Sequence, residues 1–146
     1  LEEELMERKR RYRALFESAH DAIFLLRGPR FVEWNRRTLE ILQCSNEDLE
    51  GGLIYRFLPE KQKDGNASKE LMLEKMNSAL IGQAQFFTWT LLRRDNRAFE
   101  AEVSLVRLRA GGENLVQAIV RDLTAIRKKT SGKFRKTILS LIKTGR

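Results

Sequence analysis

Residues 116–130, VQAIVRDLTAIRKKT, join two kinds of chain within a few positions. The run VQAIV is rich in β-branched residues and short, as a buried strand is. It stops at Arg121-Asp122, and a hydroxyl residue, Thr124, precedes a Lys/Arg-rich segment of helix-forming composition. A strand coupled this abruptly to a cationic helix asks for a physical reason, which the rest of the chain supplies.

Working back from that strand, LVQAIVRDL (115–123) follows the loop AGGEN, and before it RAFEAEVSLVRLR and AQFFTWTLLRR flank Asp95-Asn96. Both flanks have strand character, and Asn tolerates the left-handed backbone of a tight turn. Three strands therefore run as a meander, with 115–123 expected to be central. Glu100 and Glu102 alternate along one of them and read as its solvent face.

Upstream, SKELMLEKMNSALIG reads as a helix from Ser68, with Leu73, Met76 and Leu80 on one face and Gly82 as its stop. EKQKDGNA (60–67) is a loop by composition. Near the start, DAIFLLR (21–27), a Gly28-Pro29 turn and FVEW (31–34) form a hairpin. Asn35 then precedes RRTLEIL, where its side chain can accept an orphan amide hydrogen as an N-cap. The segments NEDLEG and GLIYRFLP come next. Residues 1–17 lack Gly and Pro and carry a thin apolar stripe of Leu1, Leu5, Tyr12, Leu15 and Phe16, which needs a partner to cover it. The pattern is α+β: a five-stranded antiparallel sheet with its helices gathered on one face.

The 146 residues carry a formal charge of +8. Residues 1–123 hold 20 basic and 20 acidic side chains, so the whole excess lies in residues 124–146, which hold eight basic residues and no acid. The globular part has no electrostatic reason to bind DNA. The tail has Phe134 as its one aromatic residue for base stacking, and a solvated helix face is its plain reading. Nucleic acid is thus not the expected partner. A single cysteine, Cys44, excludes an internal disulfide and points to a reducing compartment. No apolar run reaches the length that spans a bilayer, and LEEELMERKRR is no signal peptide. The expectation is a piece of a longer, cytoplasmic protein.

Taken together, FESAHDAIFLLRGPRFVEWNRRTLEIL, SNEDLEG, RRDNRAFEAEVSLVRL and VQAIVRDLTAIRKK resemble the PAS sensor domain over roughly residues 12–128. His20, where the family commonly has Pro, Asp95-Asn96 in place of Asp-Gly, and Arg36-Arg37 after the Trp-Asn cap are departures. The resemblance implies residues 18–123 as the PAS domain, 1–17 as an amphipathic dimerisation helix and 124–146 as a basic signalling helix. It also implies an Asp-x-Thr junction, here Asp122 and Thr124, that passes a distortion of the sheet into the outgoing helix. Asp122 can accept backbone amide hydrogens or pair with a cation such as Arg121, and Thr124 can cap the helix that begins after it.

Catalysis finds little footing. His20 and Cys44 are each the single residue of their kind, and no phosphate loop, HExxH or GxSxG motif occurs. The resemblance also tests cofactors. The long helix has no His for haem, and GGLIYRFLP lacks the Cys of a photoactive flavin site, so both are disfavoured and the cofactor stays unknown. No metal is expected. The pocket candidates are Trp34, Leu42, Phe57, Leu73, Met76, Phe87, Trp89, Gln117 and Ile119, with Gln117 the polar exception in a central strand. Such side chains either fill a core or line a ligand site.

Three functions compete: a sensory relay module of a histidine kinase or cyclic-dinucleotide enzyme, homodimeric and open to a small-molecule ligand; a ligand-free structural dimerisation module; and nucleic-acid binding through the tail. Phe134, Ile138, Leu141 and Ile142 give the tail the helical stripe that the first reading requires.

Overall fold

A computed structural model describes residues 2–124. The chain runs α1 (Glu2–Ser18), β1 (Ala22–Arg27), β2 (Arg30–Trp34), α2 (Arg36–Leu42), α3 (Asn46–Leu49), a 3₁₀ turn (Ile54–Phe57), α4 (Ser68–Leu80), β3 (Gln85–Leu92), β4 (Ala98–Ala110) and β5 (Glu113–Asp122). The five strands form one antiparallel sheet in the order β2-β1-β5-β4-β3, so the strand containing VQAIV is central, as expected.

Local chemistry explains most boundaries. Asn35 is extended (φ −92°, ψ 171°) and caps α2 by accepting the Thr38 N–H. Ser45 and Asp48 satisfy each other's backbone amides in a capping box that starts α3. Asn96, at φ 70°, takes the left-handed position in the β3–β4 turn. Gly82, at φ 96°, ends α4.

The core lies between one sheet face and helices α2–α4. Phe24 and Leu26, Trp89 and Leu91, Phe99, Ala101, Val103 and Leu105, and Val116, Ala118 and Val120 alternate onto that face. Each large apolar side chain buried there contributes about 1.5–3 kcal/mol. Of α1, Phe16 alone is buried, while Leu5, Met6, Tyr12 and Leu15 remain 51–72% exposed. No helix among the described residues is long and apolar enough to cross a membrane.

Two expectations need correction. In α4 the inward face is Met72, Met76 and Ala79, at i, i+4 and i+7, whereas Leu73 stands 52% exposed, about 100° further round the helix. Glu102 is not on a solvated face: it is 8% exposed, and its Oε1 is buried without a hydrogen-bond partner among the described residues. The expected signalling helix at 124–146, with its apolar stripe, lies outside the described residues from position 125 onward.

Candidate functional site: core cavity and strand-to-helix junctions

A cavity of about 10 Å³ lies between the sheet and α4, lined by Phe24, Leu26, Ile54, Met72, Ala118 and Val120 among others. Its walls are wholly apolar and its volume is near that of one water-sized probe, so it is dry and close to filled.

The sequence-derived pocket candidates do not line it. Leu42, Phe57, Met76 and Trp89 are core residues around it, and Trp34 and Phe87 pack against that core half-exposed. Phe31 links Phe57 and Trp34 through edge-on ring contacts at 5.9 and 6.4 Å, and Trp34 Nε1 donates to Asn46 Oδ1 at 2.7 Å. Leu73 points away from the core. Gln117 and Ile119 alternate with the inward Val116, Ala118 and Val120, so they occupy the opposite face of β5. Gln117 is therefore no buried amide aimed into a pocket. The polar side chain itself carries the missed signal, because in a strand with apolar residues at both parities it marks the outer face.

The junctions are more elaborate than the cavity. Asn35 is fully buried and makes five side-chain bonds. Its Oδ1 accepts from Ile23 N–H (3.0 Å), Thr38 N–H (3.1 Å) and Thr38 Oγ1 (2.8 Å). Its Nδ2 donates to the carbonyls of Phe16 (2.8 Å) and Asp21 (3.1 Å). One amide thus ties the end of α1 to the start of β1 and of α2.

At the other terminus Asp122 and Arg121 diverge to opposite faces. Asp122 Oδ1 accepts the Thr124 N–H at 2.8 Å, and Oδ2 pairs with Arg93 Nη2 at 3.0 Å. Arg93 also donates to the Ile41 carbonyl of α2 at 2.6 Å and lies 4.2 Å over the Phe99 ring. Burial pushes the Asp122 carboxyl pKa up, but the bonds from Thr124 and the Arg93 charge outweigh it, leaving the net below the usual value. The cation paired with Asp122 is Arg93 and not Arg121, whose guanidinium grips Asp21 through Nε (3.3 Å) and Nη2 (3.2 Å). Arg93 and Asp21 are not legible as partners in the sequence, for they lie 29 and 100 residues from theirs.

Thr124 enters this junction through its backbone amide. His20 is exposed, and burial together with nearby Asp48 pushes the Cys44 thiol up to about 11, so it is not an activated nucleophile at neutral pH. Among the described residues no cluster of three or more His, Cys, Asp or Glu could hold a metal ion.

The family described as "PAS fold" matches residues 10–123. No curated protein matches the chain. Solved structures do. The PAS domain of an HTR-like protein from Haloarcula marismortui is 27% identical, with a TM-score of 0.68 over 83% of this chain and 96% of that one. A domain of a sensory box sensor histidine kinase/response regulator from Geobacter sulfurreducens is 21% identical, with a TM-score of 0.64 over 81% and 96%. The PAS domain of a LuxR-family transcriptional regulator from Burkholderia thailandensis, solved in complex with ethanol, is 19% identical, with a TM-score of 0.61 over 77% and 97%. Matched over most of its length, and with its five strands in the order β2-β1-β5-β4-β3, the chain belongs to the PAS fold family.

Proposed function

We propose that this PAS domain is the sensory relay module of a larger cytoplasmic regulator, a histidine kinase or cyclic-dinucleotide enzyme whose output domain is not in this chain. It works as a homodimer through α1 and the segment after Thr124, and no catalytic step belongs to it. The observation that carries the reading is a pair of polar clusters, one at each junction, that meet at the adjacent residues Arg121 and Asp122 of β5. Phe16 is bonded to Asn35, Asn35 to Asp21, and Asp21 to Arg121, beside which Asp122 holds both Arg93 and Thr124. A change in sheet geometry near β5 would be felt at the end of α1 and at the start of the outgoing segment together.

A ligand-free dimerisation module is the second reading, favoured by the 10 Å³ apolar cavity. A small apolar molecule would need Met72 or Ile54 to give way. The Burkholderia relative holds ethanol, which is the scale of guest such a cavity could reach. Two measurements test these readings. Native mass spectrometry, compared with the same sample denatured, gives a lost mass increment if a ligand is retained and a bare dimer if the core is closed. Asp122→Ala in the full-length regulator should uncouple output while the sheet stays folded; unchanged output would refute the relay.

A further inference from the structure

Strand β3 is an edge of the sheet, and only part of its outward backbone is used. The Thr90 N–H donates to Gln62 Oε1 at 2.9 Å, and the Thr90 carbonyl accepts from Gln62 Nε2 at 3.0 Å. The Gln62 amide is 7% exposed and braced by Ser68 Oγ at 2.9 Å. A primary amide offers the same donor and acceptor as a peptide group, so Gln62 stands where the backbone of a sixth strand would stand.

Hydrogen-bonding direction alternates along an antiparallel strand. Thr88 and Phe86 therefore turn their N–H and C=O groups the same way as Thr90, away from β4. None of these four groups has a partner among the described residues. Phe86 adds a 59% exposed ring beside them.

A groove of about 260 Å³ runs along this edge, with Phe87 and Trp89 on one wall and Lys75 of α4 across from them. Lys75 Nζ lies 4.3 Å from the Phe87 ring and has no carboxylate partner among the described residues. Of the other charges there, Lys63 pairs with Glu100, while the Asp64 carboxylate accepts the Asn66 N–H at 2.9 Å and has no cation partner among the described residues. The groove thus combines open strand hydrogen bonds, an apolar floor and the Lys75 ammonium, which among the described residues rests on the Phe87 ring without a carboxylate.

We propose that the β3 edge is a docking surface for an extended peptide of alternating apolar and acidic residues. The peptide adds as a strand at Phe86 and Thr88 and sets a carboxylate on Lys75 Nζ. Gln62 ends the register, since Thr90 is already occupied.

The probe is a blocked hexapeptide alternating valine and glutamate, titrated into the isotope-labelled protein. Saturating amide shifts and slowed hydrogen exchange at Phe86 and Thr88 are expected. Lys75→Glu should weaken binding by about tenfold or more, and Thr88→Pro should abolish it. Thr88→Pro keeps the β4 pairing because the lost N–H faces outward, where edge strands accept proline. Unshifted Phe86 and Thr88 at millimolar peptide would overturn the site, and equal binding of the valine-lysine analogue would overturn the charge assignment. Concentration-dependent shifts at the same amides without peptide would give the edge to a second copy of the chain, overturning the peptide as its occupant.

Discussion

Arg93 and Asp122 meet at 3.0 Å with side chains 13% and 16% exposed, joining the β3–β4 hairpin to the last residue of β5. Because Arg93 also holds the Ile41 carbonyl, the end of the central strand is fixed to α2 as well.

Asp122→Asn removes a charge-assisted bond from a largely desolvated pair, and should cost about 1.5–3 kcal/mol at neutral pH. The Asp122 pKa is lowered in the folded state. Its contribution is therefore fully present above the unfolded carboxyl value, about 4, and is lost as pH falls through the folded value. Urea unfolding of the wild type and variant should show a stability gap at neutral pH that closes below about pH 4. A gap that widened on acidification would contradict the lowered pKa.

Asn35 makes a sharper case, because both ends of its amide are used. Asn35→Ala leaves buried amides and carbonyls without partners and should cost about 3 kcal/mol or more. Asn35→Asp keeps an acceptor for Ile23 and Thr38 but cannot donate to Phe16 and Asp21. It should fail to rescue stability, and the end of α1 should exchange faster. Full rescue by Asp would mean that the cap alone matters and that the tie to α1 is incidental.

How far the sequence reveals this depends on whether the determinant is local. Asn35, Asn96 and Gly82 announce their cap, turn and stop, since each acts on its own backbone. The antiparallel sheet and the central place of its last strand are legible from the resemblance and from the meander of turns. Side-chain phase is less so. Leu71, Met72 and Leu73 are consecutive apolar residues, so composition leaves the α4 face ambiguous until the sheet selects Met72. Likewise VQAIV offers apolar side chains at both parities of β5. Ion pairs such as Arg93–Asp122 depend on the register of distant strands, which no local pattern encodes.

The α4 phase can be measured directly. Met72→Ala deletes a side chain that lines the cavity and should cost about 2–5 kcal/mol, whereas Leu73→Ala should change stability by no more than about 0.5 kcal/mol. Met72→Ala should also enlarge the dry cavity enough for a small apolar guest to raise the unfolding midpoint. Comparable losses at the two positions would show that α4 is rotated from the orientation described.

Glu102 faces Arg121 across the β4–β5 register, yet Arg121 is bonded to Asp21 and the Glu102 Oε1 is buried without a partner among the described residues. Glu102→Gln replaces a desolvated carboxylate by a neutral group of the same shape. It should leave stability unchanged or raise it by about 1 kcal/mol. The two acids also stand in reserve for each other. Without Asp21, Arg121 can turn to Glu102; without both, its half-buried charge has neither. Asp21→Asn should therefore cost more in the Glu102→Gln background than alone, with a coupling of about 0.5–2 kcal/mol in a double-mutant cycle. Additive losses in urea unfolding would mean that Arg121 cannot reach Glu102, and that the orphaned oxygen is solely a cost to the fold.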